Sequence, residues 1–180
     1  MRKLQCDPET EIIGQTLLSY IDNIQAEEIH PYLEKYGLTE VDPEKWYPAN
    51  NLMSLMNDMA AEANLSSNLV ALGMATVAKM IIPPEMAALP LAAVLEGWND
   101  LYYLQHRGGE IGYVKVEKIT DHHYKTIHHL LYPDDMVYGV AYGLALRWLP
   151  KTVHFKIIYD ADTPRRDNGG EDTIIHVVWD

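Results

Sequence analysis

Cysteine is nearly absent. The 180 residues hold one, Cys6, so no internal disulfide can form, which suits a reducing compartment. No apolar run approaches the ~20 residues needed to cross a bilayer; the most apolar stretch, Met86 to Leu95, is interrupted by Pro90. The N-terminus, Met1 to Pro8, runs into acid and proline, so no secretory signal is expected. Positive charge is scarce, with 14 Lys and Arg against 26 Asp and Glu and a formal net charge of -12. Such a surface repels phosphate backbones and anionic membranes. The expectation is a soluble cytoplasmic protein with neither a nucleic-acid nor a membrane partner.

Nucleophile signatures are missing too. Ser19, Ser54, Ser66 and Ser67 lie in helical contexts, without a Gly-x-Ser-x-Gly elbow. Cys6 lies near a terminus expected to move, a poor place to hold a thiolate against a base. There is no Walker loop, and Gly108-Gly109-Glu110-Ile111-Gly112 is too short for a dinucleotide fingerprint. It reads better as a helix stop followed by strand entry.

What is present is core material. Hydrophobic residues make up 48% and charged residues 22%, enough to bury one sizeable core and to exclude general disorder. The first two-thirds reads as helix. Asp7-Pro8-Glu9 resembles a helix start, followed at helical spacing by Ile12, Ile13, Thr16, Leu17, Tyr20, Ile21 and Ile24. A second helix, about 26–36, stops at Gly37. Asp42-Pro43 opens a turn, and Trp46-Tyr47-Pro48 leads into a helix carrying Leu52, Leu55, Met56 and Met59. Ser66 or Ser67 caps the next, which Pro83-Pro84 ends. From Leu89 the pattern is helical through Trp98, Leu101, Tyr102 and Gln105.

The texture then changes. Tyr113 to Ile119, His122 to Leu131, Val153 to Tyr159 and Thr173 to Trp179 read as strands, with a helix from Pro133 to Pro150 and a turn at Asp167-Asn168-Gly169-Gly170. The expected fold class is α+β: a helical part over 8–107, then a β-β-α-β-β antiparallel sheet over 110–180, packed against the helices within one domain of 1–180. Gly139 and Gly143, four apart on the late helix, predict a close packing contact. Met53, Met56, Met59, Met74, Met80 and Met86 could line an adaptable pocket, although such residues are more often simply core.

Among the histidines, alternation on a strand puts His123 and His129 on one face, and His122 and His128 on the other. Residues six apart are separated by about 20 Å, so neither pair shares a metal ion without help from His154 or His176. Asp160, Asp162 and Glu171 match positions one, three and twelve of an EF-hand loop, but Pro164 and Arg165 break that pattern, which favours a solvated hairpin loop. His106 ends a helix bearing Trp98, Leu101 and Tyr102. A neutral imidazole at the rim of an apolar pocket can ligate haem iron; the plainer alternative is a histidine at a helix C-terminus.

Leu104 to Gly109, then Tyr113 to Glu117, a second strand, a Gly-x-x-x-Gly helix and a hairpin ending Val177-Val178-Trp179 together resemble the C-terminal half of haem-NO/oxygen-binding (H-NOX) domains. The run is similar also to the related 4-vinyl reductase and TRAPP-like ligand-binding domains. The resemblance implies a pocket between helices and sheet, with His106 near the place of the family's proximal histidine. The Tyr-x-Ser-x-Arg motif that grips the haem propionates would fall on Tyr124, Thr126 and His128. Only the tyrosine matches. Without the guanidinium the bidentate anion clamp is lost, which puts haem in question.

The leading expectation is therefore a non-catalytic sensory or ligand-binding domain whose apolar pocket is built near Trp98, Tyr102, His106 and Tyr124. It would act as a homodimer on a separate signalling protein. The alternatives are a haem-based gas sensor with His106 on the iron, a tetrapyrrole-related reductase or metal-dependent enzyme, and a structural dimerisation module.

Overall fold

The computed structural model describes residues 2–22, 26–61, 69–80, 82 and 84–180. The fold is α+β. Among these residues the elements run β1 (Glu11–Ile13), α1 (Gly14–Ile21), α2 (Ala26–Lys35), β2 (Trp46–Pro48), α3 (Ala49–Ala61), α4 (Leu69–Lys79), α5 (Pro84–Ala87), α6 (Leu91–Glu96) and α7 (Trp98–Gln105). They continue with β3 (His106–Arg107), β4 (Gly112–Thr120), β5 (His123–Leu130), α8 (Asp134–Trp148), β6 (Phe155–Tyr159) and β7 (Thr173–Trp179).

The expected sheet is present, antiparallel and ordered β4-β5-β7-β6. Alternation divides it cleanly. Along β5, Tyr124, Thr126, His128 and Leu130 are buried while the residues between them are not; on β7, Thr173, Ile175 and Val177 face the same way. Helices α6, α7 and α8 lie against that inner face, and the outer face is open. The strand prediction ran one residue too far at its start, because His122 belongs to the turn before β5.

The helical part contains a second sheet that periodicity did not reveal, ordered β2-β1-β3. The expected helix from Pro8 is corrected. Residues 8 and 9 form a turn, Ile12 is fully buried between Tyr47 and His106 in the ladder, and α1 begins only at Gly14. Gly14 is where the chain needs glycine, since a Cβ there would lie 1.9 Å from the Asp42 carbonyl oxygen. Ile24, Ser66, Ser67 and Pro83, which figured in the predicted helices, lie outside the described residues. The long helix from Leu89 is two helices, separated at Gly97.

Helices α4 and α8 make the most extensive helix–helix contact. Gly139 packs so closely that a Cβ would approach the Val70 carbonyl oxygen to 2.1 Å, and Gly73 meets Met136 in the same way. This is the close packing that the glycine spacing predicted. The N-terminal segment is held firmly. The Asn57 side chain pairs with the Leu4 backbone amide and carbonyl, and Asn50 does the same for Cys6. Cys6 thus sits on a fixed segment instead of a mobile end, and burial pushes its thiol pKa up.

Candidate ligand site between the helices and the sheet

Helix α7 places Trp98, Leu101 and Tyr102 on its inward side, and the chain turns extended immediately afterwards, at His106. The sequence placed His106 at a helix end, and it is the C-cap of α7; it is also the first residue of β3, paired with Ile12. Its ring stacks on Tyr102, with centroids 4.2 Å apart. Both ring nitrogens are occupied. Nδ1 donates to the Tyr102 carbonyl at 2.8 Å, so Nε2 is left as an acceptor and receives the Tyr132 hydroxyl at 2.5 Å. Burial holds the imidazole neutral, with its pKa lowered to about 4. Burial also raises the pKa values of Tyr20, Tyr102 and Tyr132, keeping these phenols protonated.

These groups line a partly open cavity of about 50 Å³, together with Met80, Met136, Val137 and Leu144. Trp98, Tyr102 and His106, three of the four ligand-site candidates, line it. Tyr124 does not. It lies on the inner face of the sheet, stacked on Trp179 at 5.6 Å, and its hydroxyl donates to Glu96. Sequence reasoning missed Tyr20 and Tyr132. Tyr132 directly precedes Pro133, the N-cap of α8, and that junction was the available signal. Of the methionines singled out, Met80 reaches the cavity, whereas Met53, Met56 and Met59 are packed in the core.

His128 stands beside this site, edge-on to Trp98 with ring centroids 4.8 Å apart. The Thr126 hydroxyl donates to the Ile175 carbonyl and so accepts from His128 Nε2. This leaves Nδ1 as a bare acceptor, and it is the one buried side-chain polar atom without a partner among the described residues. Complete burial lowers the His128 pKa to about 3. The ring is therefore uncharged at neutral pH.

No family model matches the chain, and no curated protein does. Solved structures do. An H-NOX protein from S. oneidensis in the Fe(II) ligation state is 13% identical, with a TM-score of 0.68 over 94% of this chain and 96% of that one. A structure from a study of heme distortion in the H-NOX family is 10% identical, with a TM-score of 0.70 over 92% and 94%. An oxygen-binding H-NOX domain related to soluble guanylate cyclases is 9% identical, with a TM-score of 0.68 over 92% of each chain. The fold is that of an H-NOX domain. At these identities the likeness concerns the fold, and it extends to the N-terminal helices as well as to the C-terminal half that carries the resemblance in sequence. In this H-NOX-like chain His106 is fastened to its own protein through both nitrogens.

Proposed function

We propose that this chain is a non-catalytic ligand-binding or sensory domain whose ligand enters the cavity between α7, α8 and β5. The observation that carries the reading is the cavity itself: an apolar space with a small polar wall made by Tyr132, His106 and Tyr102. Ligand sites combine a mostly apolar lining with a few convergent polar groups in this way. Met80 and Met136 are unbranched and adaptable, and their displacement is the route by which an apolar molecule larger than the resting space is admitted.

Haem, which the H-NOX neighbours bring to mind, does not fit the residues as they stand. The iron-binding nitrogen of His106 would be Nε2, and Tyr132 occupies it. The space is about 50 Å³, against roughly 300–1,000 Å³ for sites that take drug-sized ligands. A haem propionate would need a cation at the position of His128, and that ring is buried and neutral. The haem reading thus rests on the fold alone, and an uncharged apolar ligand is the better match.

No described helix is long and apolar enough to cross a membrane, and the acidic composition and single cysteine support a cytoplasmic setting. In this proposal the domain works as a homodimer and passes its signal to a separate protein. Native mass spectrometry of the purified chain, followed by solvent extraction, tests the ligand assignment. A co-purifying apolar molecule whose retention falls on Tyr102→Ala or Trp98→Ala is the expected result. A chain that carries no small molecule and gains no thermal stability from a panel of apolar compounds overturns it.

A further inference from the structure

The open face of the four-stranded sheet holds a second constellation, independent of the cavity. His123 on β5 and His176 on β7 are diagonal neighbours, since Lys125 lies opposite His176 and Val178 opposite His123. His123 Nε2 is 2.9 Å from His176 Nδ1, with ring centroids 5.1 Å apart. The other nitrogen of His176, Nε2, lies 3.1 Å from the Asp160 carboxylate. That carboxylate is in turn fixed by the Asp162 and Thr163 backbone amides.

This order settles the tautomers. An ionised carboxylate only accepts, so His176 carries its hydrogen on Nε2 and turns the Nδ1 lone pair toward His123. In the metal-free protein His123 fills the gap with its Nε2 hydrogen. Moving that hydrogen to His123 Nδ1 leaves two neutral imidazole lone pairs facing one small space. Nitrogens bound at ~2.0–2.1 Å to one ion, at 90–109° to each other, lie about 2.9–3.4 Å apart. The observed 2.9 Å falls at the short end of that range. A carboxylate on the far nitrogen of a ligating histidine is the usual outer partner that fixes its orientation and raises its basicity.

The electrostatics favour a cation. Lys125, the nearest positive side chain by register, points across to Glu117 on β4, 3.1 Å away, so its charge is offset. The Asp160 carboxylate stands 3.1 Å from His176, and the whole chain carries -12. We infer that His123 and His176 form a site for one divalent metal ion of the imidazole-preferring kind, zinc or copper(II), with Asp160 as the positioning carboxylate. Among the described residues no group of three or more His, Cys, Asp or Glu is placed to hold a metal. Water therefore completes the coordination, and the ion is bound exchangeably.

Titration of zinc chloride into the chelator-stripped full chain, followed by calorimetry and by histidine side-chain nitrogen shifts, tests the site. The expected result is one zinc per chain with the shifts of His123 and His176 moving together. His123→Ala or His176→Ala abolishes that uptake, and Asp160→Asn weakens it by about 10–100-fold with unchanged stoichiometry. Both rings face the solvent side of the sheet, and circular dichroism verifies that the variants fold; His123→Gln and His176→Gln serve in place of any that do not. Absence of uptake at tenfold excess zinc, or uptake unchanged in the double variant, overturns the site.

Discussion

The Tyr132 hydroxyl donates a 2.5 Å hydrogen bond to His106 Nε2, on the nitrogen that would otherwise face the cavity. Removing the hydroxyl in Tyr132→Phe leaves a buried acceptor without a donor, which costs about 1–3 kcal/mol. Urea unfolding should show that loss. The same variant is informative about haem. The unaltered protein should give no Soret band on titration with haemin, and Tyr132→Phe, which frees the nitrogen but leaves a space of about 50 Å³ and no cation at His128, should give none either. Haem uptake by the unaltered protein with Tyr132 still on His106 would contradict the fit described above.

Acid should destabilise the fold through two histidines. His106 and His128 have pKa values lowered to about 4 and about 3 by burial, against about 6.5 in an unfolded chain. Between these limits the unfolded state binds more protons, so stability rises with pH. The penalty is absent above about pH 6.5 and grows on acidification, down to about pH 4 for His106 and pH 3 for His128, at up to ~1.4 kcal/mol per pH unit for each ring. Urea midpoints measured from pH 7 to pH 5 should fall accordingly, and His128→Phe should remove about half of the slope. A pH-independent midpoint over that interval would show that neither ring is buried neutral.

The same His128→Phe variant makes a prediction at pH 7. Nδ1 is an orphaned acceptor, and Thr126 retains its bond to Ile175 when the imidazole is gone. Replacing an unsatisfied polar group by an apolar one of similar shape is near neutral or stabilising. The substitution also removes the Nε2–Thr126 hydrogen bond, worth about 0.5–1.5 kcal/mol, so the expected change in unfolding free energy lies within ~1 kcal/mol of zero, read by chemical denaturation. A loss of several kcal/mol would mean that Nδ1 has a partner in solution, such as a buried water.

How much of this was legible beforehand divides along physical lines. The four-stranded sheet and α8 followed from period-2 and helical patterns long enough to register, and Gly139 with Gly143 announced a close contact. The β2-β1-β3 sheet was not legible, because its strands are two or three residues long and Ile12-Ile13 continues smoothly into the helical spacing of α1. At the site, the apolar face of α7 exposed Trp98 and Tyr102 to inspection. Tyr132 escaped because its role depends on His106, a partner 26 residues away in sequence that only the tertiary fold brings to it. Tyr124 was selected through family motif, whereas alternation alone already put it on the inner face with Thr126 and His128.

The contact between α4 and α8 gives the last test. Alanine is the better helix former by up to ~1 kcal/mol, so on propensity alone Gly139→Ala should stabilise α8. The new Cβ, however, would sit 2.1 Å from the Val70 carbonyl oxygen, a backbone atom that cannot swing aside. At Gly143 the nearest atoms belong to the Val77 side chain, at 2.9 Å, where a modest shift suffices. Overpacking of this kind costs about 1–3 kcal/mol. Thermal unfolding should therefore rank Gly139→Ala well below the unaltered protein and Gly143→Ala between them. The reverse order would mean that α4 and α8 stand further apart in solution than the interface requires.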